Sequence, residues 1–257
     1  MSGPPPGRWA FETRPLIADP PLNGDPLDLE SIDLHRPTWI FWDVGLTLIH
    51  PSGSMVRREL EAHFPGGSWR PAEVVSALIS AAEARHLRSP RGLTGDDRVQ
   101  RAWAGLLGVP PEAGARVLAE CLARPELYCE IDPAAPAILG ALVERGVRMG
   151  VISNSDGTLG EELAHFGLAS YFDVVVDSAR TGVEKPRPAI FRSALNAAGV
   201  RPEDAWHVGD GLINDYLGAR AVGMGAILLD RHHAWDSALP VPRIVALEQI
   251  LELPAFA

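Results

Sequence analysis

Short apolar runs alternate with longer amphipathic segments along most of the chain. The runs are TWIFWD from residue 38, VRMGVIS from 147, FDVVVDS from 172, AWHVGD from 205 and GAILLD from 225. Nearly every position in them is apolar, as in strands that are buried on both faces. A repeated order of strand, helix and strand is typical of a parallel sheet with right-handed crossover connections. The pattern therefore predicts an α/β fold with a Rossmann-like parallel sheet.

The segments between the later runs have the period of amphipathic helices. Two of them, PAAPAILGALVERG and PAIFRSALNAAG, end at a glycine, which suits the left-handed residue that closes many helices. Residues 51–132 interrupt the alternation, because they contain four segments with helical spacing and no strand signal. These segments are SMVRRELEAHF, PAEVVSALISAAEARHL, DDRVQRAWAGLLG and PPEAGARVLAECLA. We expect an all-helical domain inserted after the first strand, with hinges near residues 49–54 and 129–136.

The first 37 residues are rich in proline and have no sustained helical or strand period. We interpret them as an arm that lies extended on the domain or is mobile. The predicted organisation is therefore an arm at 1–37, an α/β core formed by 38–50 and 133–257, and a helical domain at 51–132.

Composition narrows the range of partners. The net charge of −10 argues against sequence-independent binding to nucleic acid, which requires a basic surface. No apolar run is long enough to span a bilayer and no signal peptide is recognisable, so we expect no membrane partner and a cytoplasmic location. Cys121 and Cys129 lack metal-ligand spacing and are interpreted as reduced thiols.

Polar residues follow the ends of the predicted strands. Asp43 follows the first strand, Ser153 and Asn154 the second, Lys185 lies beyond the third, and Asp210 and Asp215 follow the fourth. Because the carboxyl ends of parallel strands share one edge of a sheet, these side chains are expected to line one crevice. Carboxylates, a hydroxyl and an ammonium group in one crevice can hold a divalent cation and a phosphoryl group.

In this order, the motifs resemble those of the haloacid dehalogenase superfamily, a group of hydrolases with an aspartate nucleophile. The similarity is to the branch with a helical cap inserted after the first strand. DVGLTL stands at the first motif, VISNSD at the second, GVEKPRPAIF at the third and HVGDGLINDYLGARAVGM at the fourth. The resemblance covers roughly residues 38–230, and four separately spaced motifs make a chance agreement improbable.

The resemblance implies a role for each of these residues. Asp43 would accept the phosphoryl group, Ser153 would donate to its oxygens, and Lys185 would bridge nucleophile and phosphate. Asn154 would bind the phosphate together with Ser153 and Lys185. The implied metal is Mg²⁺, held by Asp43, the backbone carbonyl of Gly45, and Asp210. Asp215 would bind the metal through water or steady Lys185. The implied partner is a small phosphorylated metabolite.

Gly45 departs from the pattern of the family's phosphatases, which usually have a second aspartate at this position as general acid. Dehalogenation needs no metal and leaves Asp210 and Asp215 without a role. Carbon–phosphorus cleavage through a Schiff base needs a cap lysine, and Lys185 is the single lysine of the chain. Phosphatase chemistry remains a candidate if the ester has a good leaving group. It also remains a candidate if the proton comes from the substrate or from Glu59, Glu61, His50 or His63. A catalytically weak binding or regulatory protein is the alternative.

We expect the arginines of the insertion to lie on solvated helix faces, from which one or two can meet an anionic substrate. They are Arg57, Arg58, Arg85, Arg88, Arg98 and Arg101.

Overall fold

The protein is described from a computed structural model that covers residues 34–87, 92–124, 126–235 and 239–256. Most of the predicted arm, and Arg88 of the insertion, lie outside the described residues. The strands are β1 (Trp39–Trp42), β2 (Ile49–Pro51), β3 (Tyr128–Ile131), β4 (Arg148–Ser153), β5 (Val174–Asp177), β6 (Ala205–Gly209), β7 (Gly225–Leu229) and β8 (Arg243–Ile244).

Six of these strands form one parallel sheet in the order β5-β4-β1-β6-β7-β8. The chain runs outward from β1 through β4 to β5, then returns to the other side of β1 with β6. The order therefore reverses beside β1, and a crevice forms outside the carboxyl ends of β1, β4 and β6. The α/β fold with a Rossmann-like parallel sheet is confirmed.

Apolar side chains of the sheet are buried on both faces. Trp39 and Phe41 of β1 pack in one apolar cluster, whereas Ile40 and Trp42 pack in the cluster on the opposite face. This alternation follows from the two-residue repeat of a strand, and it explains why the predicted runs are apolar at nearly every position.

The helices are α1 (Gly53–His63), α2 (Pro71–Ala82), α3 (Gly95–Leu106), α4 (Pro111–Leu122), α5 (Ala135–Glu144), α6 (Leu159–His165), α7 (Ser178–Thr181), α8 (Pro188–Ala198) and α9 (Gly218–Arg220). The glycines predicted to end α5 and α8 do so, since Gly146 and Gly199 both have positive φ. A 3-10 turn at Glu83–His86 follows α2, and a π-helical turn at Leu212–Leu217 follows β6. None of the described helices is long and apolar enough to cross a membrane.

The helices α1 to α4 pack around an apolar cluster of their own, which includes Leu60, Trp103 and Leu118. The range predicted to be entirely helical also contains a strand, because β3 pairs with β2 in an antiparallel ladder. The sequence of β3 is YCEI, in which apolar and polar residues do not alternate. The sequence therefore carries no strand signal at this position. The two short strands join the helical insertion to the core.

Candidate active site

The register of the sheet brings three predicted site residues to one edge. Trp42 of β1 is level with Val151 of β4 and Val208 of β6. Asp43 follows Trp42 directly, and Ser153 and Asp210 lie two residues beyond the other two partners. The three polar side chains are buried, with exposed fractions of 5 to 8%. Neighbouring parallel strands thus place them in the crevice outside their carboxyl ends, as the sequence predicts.

Lys185 lies at the centre of this group. Its Nζ atom donates hydrogen bonds to Asp43 Oδ1 and to Asp215 Oδ1, both at 2.6 Å. Burial alone would lower the pKa of the ammonium, but the carboxylates of Asp215 and Asp43 outweigh burial and raise that pKa. Lys185 is therefore held as a cation between the two acids.

The side chain of Asn154 positions Lys185. Its Oδ1 accepts a hydrogen bond from the Lys185 backbone amide at 2.7 Å, and its Nδ2 donates to the Lys185 carbonyl at 3.2 Å. Both ends of the amide are thereby used. A phosphate contact by this side chain remains a prediction, and the geometry supports an indirect role through Lys185.

Asp215 receives hydrogen bonds on both carboxylate oxygens. His207 Nε2 lies 2.9 Å from Oδ1, and the Gly211 amide donates to Oδ2 at 2.9 Å. Burial would raise the pKa of Asp215, but Lys185 and His207 together hold it below its ordinary value. Asp215 packs directly under β6, since a Cβ atom at Gly209 would lie 2.4 Å from its Cγ. Glycine at 209 is thus required by this close approach.

The carboxyl groups of Asp43, Asp210 and Asp215 fit a hard divalent cation. Their candidate ligand atoms all lie within 4.8 Å of one another, and all three residues are buried. Burial raises the pKa of Asp210 well above its ordinary value, and repulsion from Asp43 and Asp215 adds to the increase. One lysine therefore does not neutralise three buried acids, and a cation bound by oxygen ligands would complete the charge balance.

Two further groups adjoin these acids. Thr47 Oγ1, which is fully buried, donates to Asp210 Oδ1 at 3.2 Å. The Gly45 carbonyl accepts no hydrogen bond from the residues that the structure describes, so it is available as the oxygen ligand that the family resemblance implies.

Tyr128 occupies the space beside Gly45. A Cβ atom built on Gly45 would lie 3.5 Å from Tyr128 Cε1, which is ordinary van der Waals contact. Burial raises the pKa of the Tyr128 hydroxyl, and the nearby carboxylates of Asp210 and Asp43 raise it further. Tyr128 begins β3, so the strand missed in the sequence brings an unpredicted aromatic ring to the site.

The four alternative proton donors make their contacts in the insertion or at its junction. Glu59 pairs with Arg124 and Glu61 with Arg57. His63 approaches Glu120, and His50 approaches Asp132. Each of these side chains thus makes its ion pair away from Lys185 and its two carboxylate partners.

Thr47, His207 and Tyr128 were not predicted as site residues. Two of them carried a signal: Thr47 and His207 are polar residues within otherwise apolar buried segments, LTLI and AWHVG. Tyr128 carried none, because its place beside Gly45 depends on the pairing of β2 with β3.

Comparison with known proteins agrees with these motifs. A family model described as haloacid dehalogenase-like hydrolase matches residues 32–223. The haloacid dehalogenase-like hydrolase domain-containing protein 3 of Danio rerio is 32% identical over 230 residues, which cover 84% of this chain and 95% of that protein. The phosphoserine phosphatase of Thermus thermophilus is 39% identical over 136 residues, which cover 52% of this chain and 54% of that enzyme.

A solved structure similar to this one is the 2-haloacid dehalogenase of Pseudomonas syringae. It has 22% sequence identity and a TM-score of 0.51, and the match covers 86% of this chain and 99% of that chain. At this identity the likeness establishes the fold alone. Since proteins named as phosphatases and as dehalogenases are both similar to this chain, the site residues must distinguish the two chemistries.

Proposed function

Because the chain belongs to the haloacid dehalogenase-like hydrolase family, we propose that it is a magnesium-dependent phosphatase of a small phosphorylated metabolite. The observation that carries the proposal is the buried group of Asp43, Asp210 and Asp215 around the Lys185 ammonium. A dehalogenase that displaces halide with a carboxylate needs no metal, and Asp210 would then be a costly buried acid without a function.

Asp43 is the proposed nucleophile. Ser153 Oγ at 3.2 Å and Lys185 Nζ both donate to its Oδ1, which fixes the orientation of the carboxylate. Both hydrogen bonds that the described residues make to this carboxylate are to Oδ1, so Oδ2 has no such partner. A carboxylate oxygen of Asp43 attacks phosphorus while the bond from phosphorus to the ester oxygen breaks. The products are an aspartyl-phosphate and the leaving oxyanion, which takes up a proton from water to become the alcohol. Water then cleaves the aspartyl-phosphate, releases phosphate and restores Asp43.

Lys185 and Ser153 would stabilise the negative phosphoryl oxygens during both displacements. Asp215 and Asn154 keep Lys185 in place. The proposed ligands of Mg²⁺ are Asp43, the Gly45 carbonyl and Asp210, with Asp215 bound through water or acting on Lys185. When bound there, the ion would supply Lewis-acid polarisation of the phosphoryl group.

We further propose that residues 51–132 act as a cap over the crevice and that the protein works in the cytoplasm without nucleic-acid or membrane partners. The cap proposal is supported by the two short strands that join the insertion to the core beside the site. The acidic composition supports the absence of a nucleic-acid partner.

The test is hydrolysis of an activated aryl phosphate with and without Mg²⁺. We expect metal-dependent turnover that Asp43→Asn abolishes and that Asp210→Asn makes much less sensitive to Mg²⁺. A second readout is the melting temperature, which Mg²⁺ should raise in the wild-type protein by mass action but much less in Asp210→Asn. Wild-type turnover no greater than that of Asp43→Asn would instead leave a binding or regulatory protein with this fold.

A further inference from the structure

A cavity of about 510 Å³ adjoins the proposed phosphate site and is lined from both sides of the crevice. The core contributes Ser155, Arg187 and Lys185, the lysine that contacts Asp43. The insertion contributes Arg85 and His86 from the 3-10 turn at Glu83–His86. A substrate whose phosphate lies at Lys185 can therefore extend its remaining part between the core and this turn.

The lining carries more positive than negative charge, although the whole chain has a net charge of −10. Of the cations in the lining, Lys185 is already paired with Asp43 and Asp215, which leaves Arg85 and Arg187 against Glu184, the acid among the lining residues. Burial lowers the pKa of His86, so this ring is neutral near pH 7. Local positive charge on an acidic molecule favours an anionic ligand.

Arg187 is the cation best suited to a ligand. Its side chain is exposed at the start of α8, and no carboxylate of the described residues lies within ion-pair distance of it. Arg85 contacts Asp96 at 2.7 Å through Nη2, and a guanidinium group has further N–H donors for a second acceptor.

The turn that carries Arg85 is fixed from two directions. Arg98 of α3 donates hydrogen bonds to the carbonyls of Ala84, at 3.1 Å, and of Arg85. Glu83 Oε1 accepts a hydrogen bond from the Ile213 amide at 3.3 Å, beside the proposed metal site. These contacts hold Arg85 at the cavity before a ligand binds, which limits the entropic cost of binding.

We propose that Arg187 and Arg85 bind a second anionic group of the substrate, so the substrate class is phosphomonoesters that also carry a carboxylate or a second phosphate. This inference rests on the proposed function and adds the chemistry that selects the substrate. A planar guanidinium group matches both kinds of oxyanion, which accept two parallel hydrogen bonds.

The experiment compares substrates that differ only in the second charge. One pair is 3-phosphoglycerate and glycerol 3-phosphate; the other is propane-1,3-diyl bisphosphate and propyl phosphate. The measured quantity is the ratio of kcat/KM within each pair, for the wild-type protein, Arg187→Gln and Arg85→Gln. Arg101→Gln is the matched control, because Arg101 is a half-buried arginine of the insertion that pairs with the exposed Glu112.

We expect the wild-type ratio to favour the doubly anionic member of at least one pair by roughly 10-fold or more, as for a charge-assisted hydrogen bond. Arg187→Gln should reduce that ratio by roughly 10-fold and Arg85→Gln by less, while Arg101→Gln should keep it. The pair whose ratio changes in the variants shows whether the second anionic group is a carboxylate or a phosphate. A ratio near one in the wild-type protein, or a ratio unchanged in both test variants, would overturn the inference even if all esters are hydrolysed.

Binding of the same pairs to Asp43→Asn, measured by calorimetry with Mg²⁺ present, separates this inference from the proposed function. Preferential binding of the doubly anionic member that is lost in Asp43→Asn/Arg187→Gln would support the subsite even without turnover in the wild-type protein. Equal binding of both members would refute the subsite, whatever the turnover.

Discussion

Gly45 can be explained at the scale of single residues. Its φ angle is not in the left-handed region, whereas that of Leu46 is +66°, so the backbone does not demand glycine at 45. A Cβ atom would also fit. A larger side chain would extend from that position into the space of the Tyr128 ring, which lies 3.5 Å from the Cβ site. The absence of a side chain at Gly45 therefore leaves the space that the Tyr128 ring occupies.

This packing determines the expected effect of the Gly45→Asp replacement. Alone, we expect it to lower the free energy of unfolding by about 1–3 kcal/mol, because the carboxylate would overpack against Tyr128. Gly45→Ala should have a much smaller effect. In Gly45→Asp/Tyr128→Ala the overpacking is relieved, and turnover of an alkyl phosphate should rise roughly 10-fold over Tyr128→Ala as a general acid becomes available.

Urea unfolding of Gly45→Asp, Tyr128→Ala and the double variant gives the coupling energy between positions 45 and 128. Additive effects on stability would contradict the packing argument. Turnover of alkyl and aryl phosphates, measured side by side, shows whether the new carboxylate acts as a general acid, since aryl groups leave without protonation.

Lys185→Met removes the cation between Asp43 and Asp215 and keeps most of the side-chain volume. We expect a loss of about 3–5 kcal/mol in the free energy of unfolding near pH 7, as when one partner of a buried ion pair is removed. In the wild-type protein Lys185 lowers the pKa of Asp215, so this stabilisation is present above the ordinary aspartate pKa of about 4 and is lost as pH falls through the lower folded value. The penalty should therefore shrink as the pH is lowered.

Arg101→Met is the control for Lys185→Met. Its ion pair with Glu112 is on the surface and should contribute about 1 kcal/mol or less at any of these pH values. Urea unfolding at pH 7.5 and at pH 3, which lies below the ordinary aspartate pKa, checks both variants. A Lys185→Met penalty as small as that of the control, or one that grows as the pH falls, would refute the argument.

At the scale of elements, the 3-10 turn at Glu83–His86 depends on Arg98 of α3. The guanidinium group donates to the carbonyls of Ala84, Arg85 and Leu93, and the Ala84 carbonyl also accepts the Leu87 amide at 3.2 Å. The helical spacing of this segment predicts that Arg98 lies on a solvated helix face. It instead joins the end of one helix to the start of the next, because its neighbours in space come from a different segment of the chain.

We expect Arg98→Met to lower the free energy of unfolding by about 2–4 kcal/mol, because three carbonyl groups lose a charged donor. The variant should also raise KM for phosphate esters, since Arg85 would no longer be held at the cavity. Arg101→Met, three residues further along α3, is again the control. If the two variants unfold at the same urea concentration, the turn does not depend on Arg98.

At the scale of the whole molecule, a second cavity lies where the insertion meets the core. It has a volume of about 360 Å³ and is lined by His50, Asp132, Arg231 and His232, among others. Burial lowers the pKa of His232 to about 4, and the charges of Arg231, His50 and His233 contribute to the decrease. His232 is therefore a neutral ring at this junction near pH 7.

The depressed pKa of His232 makes stability depend on pH. Below the ordinary histidine pKa of about 6.5 the unfolded chain binds a proton that the native ring does not bind until about pH 4. The stabilisation is thus complete above pH 6.5 and is lost as the pH falls towards 4. After discounting for solvent screening, we expect a loss of about 1 kcal/mol between pH 7.5 and pH 5.

His232→Asn should lose correspondingly less stability over this range, as measured by urea unfolding at the two pH values. His165→Asn, at an exposed histidine of α6, should behave like the wild-type protein. Parallel pH dependence in all three proteins would exclude His232 as the source.

The sequence by itself determined the parallel sheet, the helical segments and the strand ends at Asp43, Ser153 and Asp210, together with the loop of Lys185 and the turn of Asp215 that follow strands. It did so because burial on both faces imposes apolar runs, and because parallel strands end at one edge whatever their order. Tertiary structure alone decided the partners of those side chains. Residues from different elements meet in the ion pair of Lys185 with Asp215, in the hydrogen bond between Asn154 and the Lys185 amide, and in the contact of His207 with Asp215. The place of Tyr128 beside Gly45 likewise depends on the pairing of β2 with β3, two strands of three and four residues, which are too short to leave a periodic signal.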